Sequence, residues 1–192
     1  GGAGGRAYNW GASPRIDAGG VGFMTGVAML GVDLREELPI LHLRARRAAE
    51  ELGVPIIEAN ALAWQGMLAV LTDDWAHGAP LIARAGELVR LHRLERLATS
   101  ANSVTALALL QAARGSKDQA RVTLGTARRL TSQVSQIAPW FAVAGPLVQA
   151  RAAILLSDGA LARTLCSEAR NHMRPDLAGL GDHAQLGQLV NQ

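Results

Sequence analysis

The residues able to do acid–base or metal chemistry lie scattered along this 192-residue chain. No two of its five histidines stand at i and i+4, the spacing that puts two imidazoles on one helical face for a metal. Asp182 and His183 are adjacent, and adjacent residues on a helix point in different directions. The paired carboxylates Asp73–Asp74 and Glu36–Glu37 fall near predicted helix starts, where capping and the helix dipole account for them. We therefore predict no enzyme activity, no metal and no cofactor.

Cys166 is the single cysteine, and it falls inside a predicted amphipathic helix. Without a partner or a nearby redox motif, a buried structural thiol is favoured over a reactive one, and the absence of a disulfide framework favours the cytoplasm. The longest apolar stretch, Val21 to Val32, is shorter than the roughly 18 residues of a membrane span and lacks the charged leader of a signal peptide. We therefore expect a cytoplasmic protein without membrane contact.

The composition favours closely packed helices. Hydrophobic residues make up 49% of the chain but aromatic residues only 4%, so the core must consist mainly of Ala, Leu and Val, which indicates an all-α fold. The net charge is only +3, and the basic run Arg44–Arg47 is followed at once by Glu50 and Glu51. Because no basic stripe stands out, direct binding of nucleic acid is not expected.

One pattern is written twice, as Gly115–Arg121 and as Ser157–Arg163, each followed by a helix that ends in Ala-Arg. The matching alanines Ala127 and Ala169 are 42 positions apart, and the same step backwards from Ala127 reaches Ala85. A fixed period of this size is typical of stacked helical hairpins that cannot bury their apolar stripes alone. We predict a tetratricopeptide-like α-solenoid with a period of about 42 residues, and a compact bundle is the alternative.

The element boundaries follow from capping, proline and glycine signals. Residues 1–12 are Gly-rich and predict a flexible tail or linker, and residues 13–192 form the predicted repeat domain. Ser116 and Gln119 have the spacing of a capping box, and Gly145–Pro146 allow a kink. The predicted helices span about 14–30, 33–52, 55–72, 75–92, 94–114, 116–131, 139–156, 160–172 and 175–189.

Several of these stretches resemble the helical repeat segment of large LuxR-type transcriptional regulators of the MalT-like kind, over about Leu41 to Leu180. The stretches are Thr126–Leu130, Ala138–Trp140, Leu147–Arg151, Leu155–Gly159, Ala162–Arg163 and Glu168–Arg170. In that family such repeats lie between a nucleotide-binding module and a helix-turn-helix. Here no phosphate-binding loop occurs, and no helix-turn-helix follows within the chain. The resemblance therefore implies a sensor segment that reaches DNA only through a domain absent from this chain.

In stacked hairpins the first helix of each pair usually lines the concave surface, which predicts a shared groove. Trp64 is either an aromatic anchor for a ligand or a ring filling the core between hairpins. Arg151 either pairs with a carboxylate or binds an anionic ligand. The amides of Asn102 and Gln149 are either solvated, or satisfied by neighbouring backbone, or in contact with a ligand. The predicted ligand-binding residues are Trp64, Asn60, Asn102, Gln149 and Arg151, with Gln65 and Ser103 on the same face.

Two functions remain open at this point. The first is the effector- or partner-binding segment of a bacterial LuxR-type regulator, which takes a small-molecule effector or a regulatory protein in the groove. The second is a free-standing helical-repeat scaffold for protein–protein interaction. A homo-oligomer is compatible with either function.

Overall fold

The computed structural model describes residues 46–47, 49–51, 53–135 and 141–172, and these residues contain no β-strand. After a first helical stretch at residues 46–47 and 49–51, they form six α-helices and one short 3₁₀ turn, Ala98–Ser100. The helices are α1 Pro55–Leu71, α2 Trp75–Leu91, α3 Ala101–Ala113, α4 Lys117–Val134, α5 Phe141–Leu155 and α6 Gly159–His172. The predicted all-α class is therefore confirmed. None of the described helices is long and apolar enough to cross a membrane. The predicted tail and the predicted helices at 14–30 and 175–189 lie outside the described residues.

Consecutive helices pack in pairs: α1 with α2, α3 with α4, and α5 with α6. We call α1, α3 and α5 the first helices and α2, α4 and α6 the second helices. Helix α3 also packs against both other first helices and against α2. It is consequently buried over most of its surface, and only Leu107, Gln111 and the last residue, Ala113, are partly or fully exposed. This position explains why α3 lacks a polar stripe, because a helix with so little exposed surface gains little from one.

The turn inside each pair recurs at a fixed interval along the chain. Its central residue has a left-handed backbone in all three pairs: Asp73 (φ 66°), Gly115 (φ 77°) and Ser157 (φ 61°). The amide of the following residue then donates to a carbonyl on the last turn of the first helix, from Asp74 to Ala69, from Ser116 to Gln111 and from Asp158 to Ala153. This is the Schellman arrangement that ends a helix. The second helices start directly afterwards, at Trp75, Lys117 and Gly159, and these starts repeat the spacing of the turns.

The second helices differ in how their first turns are capped. Asp74 and Asp158 each accept a hydrogen bond at 3.0 Å, from the amides of His77 and Leu161. Ser116 occupies the same position, but its side chain makes no capping hydrogen bond, so the predicted capping box with Gln119 is wrong. The cap backbones are alike, with ψ 69° at Asp74 and 62° at Ser116.

Small buried residues line the contact between the two helices of each pair. One stands on the first helix and two stand on the second helix, with the same spacing in every pair. The three sets are Gly66, Gly78 and Ala85, then Ala108, Ala120 and Ala127, then Ala150, Ala162 and Ala169. In the first pair the backbones approach so closely that a Cβ on Gly78 would lie 2.6 Å from the carbonyl oxygen of Gly66.

The helix predicted over 94–114 begins later than expected, at Ala101. Arg93 adopts a left-handed backbone (φ 53°), and the amide of Leu94 donates to the carbonyl of Val89, which ends α2 in a further Schellman turn. The hydroxyl of Ser100 then donates to the carbonyl of Leu94 at 2.8 Å and holds the connection in place. Helix α5 runs continuously through Pro146, at the position where a kink was allowed.

Candidate functional site

The predicted groove residues lie mostly in the interior. Trp64 is 6% exposed and belongs to the hydrophobic core, and Asn102 and Gln149 are 5% and 1% exposed. Asn60 and Arg151 are half-buried. The structure therefore places Trp64 in the core position, and a direct contact between these side chains and a ligand stays a prediction.

Polar side chains tie α1 to α3. The hydroxyl of Ser103 donates to Asn60 Oδ1 at 2.9 Å, and Asn60 Nδ2 donates to the carbonyl of Thr99 at 2.8 Å. Both polar atoms of the Asn60 amide are thereby satisfied within the protein. The bonds join two predicted site residues, Asn60 and Ser103, but they do so as a structural link between neighbouring helices.

A second polar link joins α5 to α3 and α4. Gln149 Nε2 donates to Thr105 Oγ1 at 3.2 Å and to Thr131 Oγ1 at 2.8 Å. All three residues are buried, and buried amides require such partners because an unsatisfied one costs about 1–3 kcal/mol. The link therefore joins the third pair to the second.

Arg151 connects the third pair of helices to the first. Its Nη1 donates to the carbonyl of Val70 at 3.2 Å, and its guanidinium lies 5.9 Å from the ring centroid of Trp75. The C-terminal ends of α1 and α5 therefore meet, although they belong to the first and third pairs. Arg151 contacts a carbonyl and an aromatic face here, and it forms no ion pair with any carboxylate among the described residues.

A cavity opens elsewhere, between α4 and α6 with α5 as its floor, and we call it the α4–α6 cavity. Its volume is about 560 Å³, within the range of pockets that bind small molecules. Its lining residues are Arg128, Arg129, Thr131, Ser132, Ser135, Ala142, Pro146, Gln149, Glu168 and His172. A smaller cavity of about 260 Å³ adjoins it and shares Arg128.

The α4–α6 cavity carries cationic side chains at its rim. Arg128 Nη2 lies 3.4 Å from Glu168 Oε1, and both side chains are more than 40% exposed, so water screens this ion pair and it adds little stability. Arg129 is exposed and pairs with no carboxylate among the described residues. The rim thus presents one guanidinium held by a carboxylate and one available to a ligand.

Sequence reasoning placed only Gln149 of this cavity among the site residues, and it assigned that residue to a concave groove. A comparison of equivalent positions in successive pairs supplies the missing signal. Thr131, Gln149 and His172 stand where Val89, Leu107 and Leu130 stand one period earlier. At the earlier position Leu107 packs against Gly86, since a Cβ on that glycine would lie 3.0 Å from Leu107 Cδ1.

Cys166 is half-buried on α6, outside the residues that line either cavity. Burial raises the pKa of its thiol, and the nearby charge of Arg170 opposes this increase in part. Within the part of the chain that the structure describes, no group of three or more His, Cys, Asp or Glu side chains is placed to hold a metal ion.

The fold and the cavity define an all-α protein with a cavity between two helices that Arg128 and Arg129 line. Comparisons with protein-family models, curated proteins and solved structures find no match to this chain. The function is therefore argued from the geometry of the chain itself.

Proposed function

We propose that the described residues form an α-solenoid of tetratricopeptide-like hairpins with a period of about 42 residues. The observation that carries this proposal is the recurrence of the same left-handed turn at Asp73, Gly115 and Ser157. The buried small residues recur at the same interval, and tetratricopeptide repeats likewise carry small residues on both helices of each hairpin. The first helices also pack on one another in order, as they do in a stacked array.

A deletion of one period tests this architecture. Removing residues 74–115 joins Asp73 to Ser116, so α1 is followed by the same turn and by α4 in place of α2. We expect a helical protein that still unfolds cooperatively at a lower Tm, measured by far-UV circular dichroism. Removal of residues 74–111 is the control, because it leaves α4 out of phase. Loss of cooperative unfolding in both variants to the same degree would favour a single bundle.

The function that we propose for this array is recognition of an effector or partner, as the sensor segment of a bacterial LuxR-type regulator. The resemblance over 126–170 and the α4–α6 cavity, large enough for a small molecule, support it. Any contact with DNA would then come through a domain outside this chain. A free-standing scaffold for protein–protein interaction is the alternative.

A thermal-shift screen with sugars, nucleotides and small carboxylates tests the sensor function. A ligand at 100 times its Kd stabilises the folded state by about 2.7 kcal/mol, which raises the Tm by roughly 5–10 °C for a chain of this size. The coding sequence downstream of Gln192 separates the two functions. A helix-turn-helix there supports the regulator, whereas a stop codon together with a silent screen supports the scaffold.

A further inference from the structure

The contact between the second and third pairs, where the α4–α6 cavity lies, is built differently from the contact between the first and second pairs. In the contact between the first and second pairs, Leu107 packs onto Gly86 and Val89 is buried beside it. In the next contact, Gln149 and Thr131 stand at the positions of Leu107 and Val89. The leucine and valine of the first contact are therefore replaced by an amide and a hydroxyl, which are buried and hydrogen-bonded to each other. The α4–α6 cavity opens above them.

The two arginines that line the cavity are also specific to the contact between the second and third pairs. Arg129 on α4 stands where Glu87 stands on α2, and Arg128 stands at the position of Gly86, the glycine against which Leu107 packs. Both arginines line the α4–α6 cavity. Arg90 on α2 and Arg93 just after it are exposed as well, but neither stands at the position of Arg128 or Arg129.

The two guanidinium groups differ in what they contact. Arg128 is oriented by Glu168 at 3.4 Å, and Arg129 has no carboxylate partner among the described residues. Planar guanidinium groups bind carboxylate and phosphate groups through paired, charge-assisted hydrogen bonds. A neutral ligand has no charged pair of oxygens to accept them. A cavity of about 560 Å³ accommodates a small organic molecule that carries such a group.

From this geometry we infer that the α4–α6 cavity binds a small organic anion, whose carboxylate or phosphate group is held by Arg128 and Arg129. The rest of the ligand occupies the space above Gln149, Ala142 and Pro146. This inference rests on the proposed binding function, and it names both the site and the class of ligand.

Isothermal titration calorimetry with citrate and with inorganic phosphate at constant ionic strength tests the site. We expect saturable binding of at least one anion by the chain, and the stronger of the two shows which oxyanion chemistry the cavity prefers. Arg129→Gln should weaken this binding about tenfold, the effect of one charge-assisted hydrogen bond. Arg90→Gln, which removes the same charge from an exposed position of α2, should leave the affinity unchanged.

A second variant tests the shape of the cavity. Thr131→Val combined with Gln149→Leu puts the residue types of Val89 and Leu107 at the equivalent positions. We expect this variant to bind no anion, and circular dichroism serves to show that it is folded. Retained affinity in Arg129→Gln, or an equal loss in Arg90→Gln, would overturn the inference. The absence of saturable binding by the unmodified chain would overturn it too. If neutral compounds still raise the Tm in the thermal-shift screen, the proposed binding function stands without the anion site.

Discussion

Replacement of Gly78 by alanine tests the close contact between α1 and α2. A Cβ at this position would lie 2.6 Å from the carbonyl oxygen of Gly66, 2.7 Å from Val70 Cγ2 and 3.2 Å from Ala69 Cβ. The nearest atom belongs to the backbone of a packed helix, so relief requires the two helices to move apart. Such overpacking costs about 1–3 kcal/mol, and the higher helix propensity of alanine returns about 1 kcal/mol.

We therefore expect Gly78→Ala to lower the free energy of unfolding by up to about 2 kcal/mol, measured by urea unfolding with circular dichroism detection. Gly125→Ala on α4 is the matched control, because nothing lies within 4 Å of its added Cβ. That variant should gain about 0.5–1 kcal/mol from helix propensity alone. If Gly78→Ala were stabilised as much as Gly125→Ala, the close backbone contact between α1 and α2 would be refuted.

Three further predictions concern single side chains. Trp64→Ala should cost about 3–5 kcal/mol in urea unfolding because the ring is 6% exposed in the core, and a loss below about 1 kcal/mol would contradict that position. Ser157→Gly should raise the stability by about 1 kcal/mol and Gly115→Ala should lower it by a similar amount, because both residues have positive φ. In thermal unfolding the Tm should therefore rise for the first variant and fall for the second. The Cys166 thiol, with its raised pKa, carries less thiolate at pH 8 and should react with a disulfide reagent more slowly than free cysteine, and denaturant should remove the difference.

Much of the fold could be predicted because its signals are local. The bounds of α1, α2 and α6 follow from proline, aspartate and glycine at the helix ends, and the structure agrees with them closely. The start of α3 was missed because the connection over 94–100 contains no glycine or proline, and the bond from the Ser100 hydroxyl to the carbonyl of Leu94 leaves no sequence signal of its own. Local pattern therefore predicts a helix start only where a residue that favours a break stands next to it.

The candidate site was harder to predict because burial depends on neighbours that are distant in sequence. Trp64 and Gln149 lie on the helices that were expected to line a groove, yet these helices pack on one another and enclose both side chains. The α4–α6 cavity arises instead on the side of the second helices, where a floor residue from α5 meets arginines from α4. The cavity is distinguished from the contact between the first and second pairs only when residues 42 positions apart are compared and their burial is known.

The hydrogen bonds of Gln149 do not explain why an amide stands there, because leucine fills the same position in the preceding pair without needing any partner. Replacing a buried polar pair by apolar side chains of similar shape is commonly neutral or stabilising, and the remaining hydroxyl of Thr105 can bond to a carbonyl of its own helix. Thr131→Val with Gln149→Leu should therefore be at least as stable as the unmodified chain in urea unfolding. If this variant keeps its stability and no longer binds the anion, the amide of Gln149 serves ligand binding. A loss of about 2 kcal/mol or more would assign it to the packing of the third pair on the second.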